Sequence, residues 1–150
     1  MPFDVFLAPV RCLRCGNTVP NAEIQTYIRD GIADGSALGI GFEFDAVDLE
    51  TGHLLRAGYA LVKEPCPGGP IRLLDVWICP QCETEQWAMV EIADRKIRSI
   101  EAVKLDRATL ESTNFISDVN ADLLAEALRG EEPATGASSV ETLRQRLPMK

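Results

Sequence analysis

Two short motifs carry the chemistry of this chain, Cys12-Leu13-Arg14-Cys15 and Cys79-Pro80-Gln81-Cys82. Two thiolates on one such turn reach a single metal ion while backbone N–H groups point at the sulfurs. Two turns together complete a tetrahedron with bonds of about 2.3 Å. Gly16 suits the first turn, because the position after the second cysteine favours φ > 0, which glycine adopts freely. Pro80 pre-sets φ in the second turn. Four thiolates leave no open coordination position, so an ion held by Cys12, Cys15, Cys79 and Cys82 is structural rather than catalytic. The expectation is one structural Zn²⁺ per chain. Iron suits the same donors and is the lesser alternative. A redox C-x-x-C pair needs a βαβ setting, which neither pair shows.

The other reactive side chains have plainer readings. Cys66 stands alone in a Pro/Gly-rich loop and is read as neither a ligand nor a nucleophile. His53, the single histidine, follows Glu50-Thr51-Gly52 and is expected in an exposed turn. No nucleophile motif of the G-x-S-x-G type and no phosphate-cradling glycine loop accompanies it. Glu43, Asp45, Asp48 and Glu50 read as the solvated face of a strand. Trp77 and Trp87 flank the second motif and are expected to pack over the metal, with an exposed contact surface as the alternative.

Through Cys12-Leu-Arg-Cys-Gly16 and Cys79-Pro-Gln-Cys82 the sequence resembles the zinc-ribbon and rubredoxin-like class of metal knuckles. The resemblance covers the motifs and their flanking strands. Glu83 stands where that class commonly has glycine. Cys15 and Cys79 also lie much further apart than the roughly 15–20 residues between the pairs of compact ribbons.

Composition narrows the field. Five cysteines, four of them paired in C-x-x-C turns, suit metal ligation in a reducing compartment better than a disulfide framework. With no apolar run of membrane-spanning length and no basic stretch ahead of an apolar one near Met1, the expected location is the cytoplasm. The net charge of −8 disfavours nucleic acid, which calls for clustered Lys and Arg; Arg11 and Arg14 are the one local hint.

The elements that must position the cysteines follow from periodicity. Phe3–Val10 reads as a strand entering the first knuckle. Glu23–Arg29 fits a strand or a helix face, with strand preferred. Gly39–Asp48 alternates apolar and polar residues, and Leu54–Lys63 returns after the Glu50–Gly52 turn, giving an inserted hairpin. Ile71–Ile78 and Gln86–Ala93 flank the second knuckle, and Asp94-Arg95-Lys96 turns the chain into Ile97–Val103. Beyond Asp106, Ile116, Val119, Leu123 and Ala127 form one helical stripe, with Leu124 and Leu128 beside it, capped by Ser117 or Asp118 and ended by Gly130. Glu131–Ser139 reads as linker. Ser138 and Glu141 form a capping box ahead of Val140, Leu143 and Leu147, and Pro148 stops that last helix.

These readings predict a mainly β protein with a C-terminal helix (α+β). Residues 1–105 form a small zinc-pinned antiparallel β domain with two knuckles and an inserted hairpin. Residues 106–130 form an amphipathic helical segment, and residues 131–150 a linker and short helix. The expected function is that of a non-catalytic accessory or adaptor protein. It would meet a protein partner through helix 117–129, the tail or the Trp77/Trp87 face. A nucleic-acid-binding zinc ribbon and an iron electron carrier are the alternatives.

Overall fold

The structure, a computed structural model, describes residues 3–29, 34–130 and 138–148. Its order is β1 (Asp4–Arg11), β2 (Thr18–Thr26), β3 (Ala37–Leu38), a 3-10 turn (Ala46–Leu49), α1 (Thr51–Arg56), β4 (Tyr59–Leu61), β5 (Ile71–Ile78), β6 (Glu85–Ala93), β7 (Lys96–Val103), α2 (Arg107–Glu111), β8 (Phe115–Ser117), α3 (Asp118–Arg129) and α4 (Ser139–Arg146).

The strands make two sheets. β2-β1-β3 form the smaller, and β4-β8-β5-β6-β7 the larger. Alternation sets their faces: Asp4, Phe6, Ala8 and Val10 of β1 are buried, as are Ala22, Ile24 and Thr26 of β2. The stretch Glu23–Arg29, readable as strand or helix, is therefore strand as far as Thr26. One core cluster, with Phe6, Ile24, Leu38, Leu54, Leu73, Trp77 and Val90, joins the two sheets. A second, with Leu74, Ile116, Leu110, Ala121, Ala125, Val140, Leu143 and Leu147, joins the larger sheet to the helices. The molecule is thus built in three layers, and β5 faces both cores.

The structure departs from the sequence reading in four places. The inserted hairpin is absent. Gly41–Phe44 instead follows the start of β7, with Gly41 N–H donating to the Ile97 carbonyl at 2.7 Å and Phe44 N–H to that of Arg95 at 2.7 Å. Phe42 and Phe44 then meet edge to face at 4.9 Å. Glu50-Thr51-Gly52 opens helix α1 rather than a turn. There His53, Leu54 and Ala57 are the buried positions, a spacing of one helical face rather than of a strand. Of the predicted return strand only Tyr59–Leu61 remains.

The sheets are also mixed, since β3 runs parallel to β1 and β8 parallel to β5. Residues 106–130 are not simply helical: Phe115–Ser117 inserts between β4 and β5, and Ile116 is a fully buried strand residue. Finally, α3 buries a different face from the one its large residues suggest. Ala121 and Ala125 are 0% exposed, while Val119 is 68% and Leu123 60% exposed. Two alanines one turn apart let the helix approach its neighbours closely, and close approach outweighs the larger side chains.

α4 docks. Ser138 Oγ accepts from Glu141 N–H at 3.1 Å, and Val140, Leu143 and Leu147 enter the second core. Arg144 pairs with Glu111 at 2.9 Å and also donates to the Val62 carbonyl. Residues 131–137 of the expected linker lie outside the described residues. Among those described, no helix is long and apolar enough to cross a membrane.

Candidate metal centre

Both cysteine pairs sit in the tight connection of an antiparallel strand pair. Cys12 and Cys15 link β1 to β2; Cys79 and Cys82 link β5 to β6. The two turns have the same backbone pattern. Cys12 N–H donates to Asn17 O at 2.9 Å, and Gly16 N–H donates back to Cys12 O at 3.0 Å. At the second turn Cys79 N–H donates to Thr84 O at 3.1 Å, and Glu83 N–H to Cys79 O at 2.7 Å. The residue closing each turn is left-handed: φ is +76° at Gly16 and +56° at Glu83. Glu83 therefore adopts the conformation that glycine would take without strain.

The four sulfurs all lie within 4.8 Å of one another. Cys12 Sγ is 3.5 Å from Cys82 Sγ, and Cys15 Sγ is 3.9 Å from Cys79 Sγ. A regular tetrahedron of about 2.3 Å bonds has edges of about 3.8 Å, so the spacing fits four thiolates around one ion. It is far too long for the roughly 2.05 Å of a disulfide. Cys12 and Cys79 are buried, and Cys15 and Cys82 half-buried.

Donors surround the sulfurs. Cys12 Sγ accepts from the N–H groups of Arg14 at 3.4 Å and Cys15 at 3.3 Å, and from Gln86 Nε2 at 2.9 Å. Gln86 Oε1 in turn accepts from Leu13 N–H at 3.0 Å, so this one side chain ties β6 to the first turn. Asn17 Nδ2 stands 3.7 Å from Cys15 Sγ, and Thr84 Oγ1 stands 3.3 Å from Cys82 Sγ. Burial pushes the Cys12 thiol up, but the Cys15 amide, the Gln86 amide and the Arg14 amide outweigh it and bring it to about 6. At Cys15 the Asn17 amide pulls down, yet burial and protons shared with Cys12, Cys79 and Cys82 push it up to about 11. A cation at the centre would relieve that crowding, with loss of the remaining protons.

The centre also accounts for the long gap between the motifs. One turn belongs to each sheet, and the intervening chain builds β3, α1 and β4 before returning in β5. An ion held here joins the smaller sheet to the larger one.

The remaining sequence candidates disperse. Cys66 is exposed and outside the cluster. His53 is not an exposed turn residue; it is buried on α1, its Nε2 2.6 Å from the Ile28 carbonyl and 3.7 Å from Asp48 Oδ1. Asp48 is itself buried, whereas Glu43, Asp45 and Glu50 are exposed as expected. Trp77 and Trp87 share no face, because Trp77 registers with Gln86 and Trp87 with Val76 on neighbouring strands. Trp77 lies in the inter-sheet core with Cys12 and Cys79, and Trp87 packs toward the helices. The sequence reading missed Gln86, Asn17 and Thr84. Asn17 and Thr84 each stand two residues after the second cysteine of a pair, a repeated polar position that the sequence does display.

Comparison with protein families, with curated proteins and with solved structures finds no match. The likeness to zinc ribbons therefore rests on the four clustered cysteines, whose arrangement is compatible with that motif.

Proposed function

We propose that the chain is a non-catalytic accessory or adaptor protein whose Cys₄ centre holds one structural Zn²⁺. The observation that carries this reading is the closed shell. Four sulfurs from two strand pairs surround one point, leaving no position for water or substrate. Zinc is favoured because it is redox-inert and has no geometric preference of its own, so it suits a staple.

Contact with a protein partner is supported by α3, which leaves Val119 and Leu123 one turn apart and largely exposed. Leu123→Glu combined with Val119→Glu is the test. The double variant should keep its metal and melting temperature but lose the partner that the parent chain co-purifies from its native cells. Unchanged co-purification would refute docking through α3.

A further inference from the structure

A cavity of about 700 Å³ opens between the two sheets, its lining reaching Pro80 of the second cysteine turn. One wall is the outer edge of β2, which among the described strands pairs only with β1. The other is the end of β5 beyond Leu74, since β8 pairs only with Leu73 and Leu74. The gap exists because β8 is three residues long and β5 eight. Its size lies within the range of small-molecule sites.

The lining includes Thr26, Tyr59, Asp75 and Trp77. Tyr59 O–H donates to Asp75 Oδ2 at 2.8 Å, and its oxygen lies 3.0 Å from Thr26 Oγ1. Thr26 Oγ1 accepts from Ile28 N–H at 3.1 Å, so its own hydrogen is free to point at Tyr59. The chain of donors thus ends on Asp75, which is 5% exposed. Two residues further on the same face, Trp77 is 2% exposed, and its indole Nε1 has no hydrogen-bond partner among the described residues. A buried donor left unpaired costs about 1–3 kcal/mol, so a ligand atom that accepts from it gains accordingly. The described residues of the lining include carboxylates, Asp75 and Glu23, and aromatic rings, Tyr27, Tyr59 and Trp77, but no Lys, Arg or His. An anion would meet no opposite charge among these described residues, whereas a cation would meet carboxylates and aromatic side chains.

We propose that this cavity binds a small organic amine that also carries a hydroxyl or carbonyl, its ammonium on Asp75 and its acceptor on the Trp77 indole N–H. Burial, only partly offset by Tyr59, pushes the Asp75 carboxyl up to about 7. An ammonium partner would relieve that burden.

Three probes test the proposal on the metal-loaded chain: phenylalaninamide, phenethylamine and 3-phenylpropanoate. Binding is read from the Trp77 indole N–H resonance, assigned by its loss in Trp77→Phe. Phenylalaninamide should shift that resonance saturably, phenethylamine should bind more weakly, and 3-phenylpropanoate should leave it in place. Asp75→Asn still accepts from Tyr59 and should weaken phenylalaninamide at least about tenfold, a loss of 1.4 kcal/mol or more. Trp77→Phe, followed by calorimetry, should lower the advantage of phenylalaninamide over phenethylamine. The proposal is overturned if neither amine saturates the resonance by about 10 mM, well above a millimolar Kd. It is equally overturned if 3-phenylpropanoate binds as well, or if both variants retain full affinity.

Discussion

Glu83 and Gly16 occupy equivalent places in the two metal turns, with φ of +56° and +76°, and they set opposite expectations. A side chain at a left-handed position costs roughly 1–2 kcal/mol, against which glycine loses some chain entropy. Glu83→Gly should therefore leave stability unchanged or raise it by up to about 1 kcal/mol. Gly16→Ala should lower it by about 1–2 kcal/mol through strain alone, because nothing lies within 4 Å of the added Cβ. Urea midpoints of the two variants check this; a stabilising Gly16→Ala would contradict the shared turn geometry. Asp75 makes a second prediction. Its folded-state value is raised to about 7 from 3.8, so the unfolded chain gives up this proton at lower pH. Its contribution to stability is greatest below about pH 4, falls as pH rises to about 7, and is flat beyond. The full difference is on the order of 4 kcal/mol. Asp75→Asn should thus be more stable than the parent at pH 8, with the gain shrinking toward pH 4. A constant difference across that range would show that burial does not hold the carboxyl neutral.

At the scale of elements, the docked C-terminal helix and the start of β1 are the informative parts. Leu143 is fully buried in α4, and Leu143→Ala should cost about 2–5 kcal/mol. A loss below about 0.5 kcal/mol in chemical denaturation would mean that α4 is not part of the cooperative unit. Asp4, also fully buried, receives Arg29 Nε at 2.7 Å and Arg29 Nη2 at 2.9 Å, and Ser36 N–H at 3.0 Å. Arg29 foremost holds its carboxyl below the usual value. That stability is present at neutral pH and lost as pH falls through the carboxylate range. Asp4→Asn should cost about 1–3 kcal/mol, because Arg29 keeps Asp34 at 2.9 Å but loses its buried charge partner, read as a lower urea midpoint at pH 7; an unchanged midpoint would contradict it. The sequence made the strands around the knuckles legible, because alternation in β1, β5, β6 and β7 is local. It did not reveal the helix at Thr51–Arg56, where turn-forming residues sit on a helical face, or the two-alanine face of α3. Those depend on which neighbour packs against them, and apolar periodicity does not report it.

For the whole molecule, the metal turns were legible as ligands but not as a link between sheets. That role depends on long-range placement, with one turn contributed by each sheet. An ion bound by four thiolates can contribute on the order of 10 kcal/mol, comparable with the stability of an entire domain. The inter-sheet core is correspondingly expected to depend on it. The most direct measurement is metal content by plasma mass spectrometry on protein purified without added metal, with the melting curve of Cys12→Ser alongside. The account predicts about one zinc per chain, and a variant that loses both the metal and the cooperative melt. A metal-free parent chain that melts cooperatively, or a Cys12→Ser variant that melts like the parent, would contradict it.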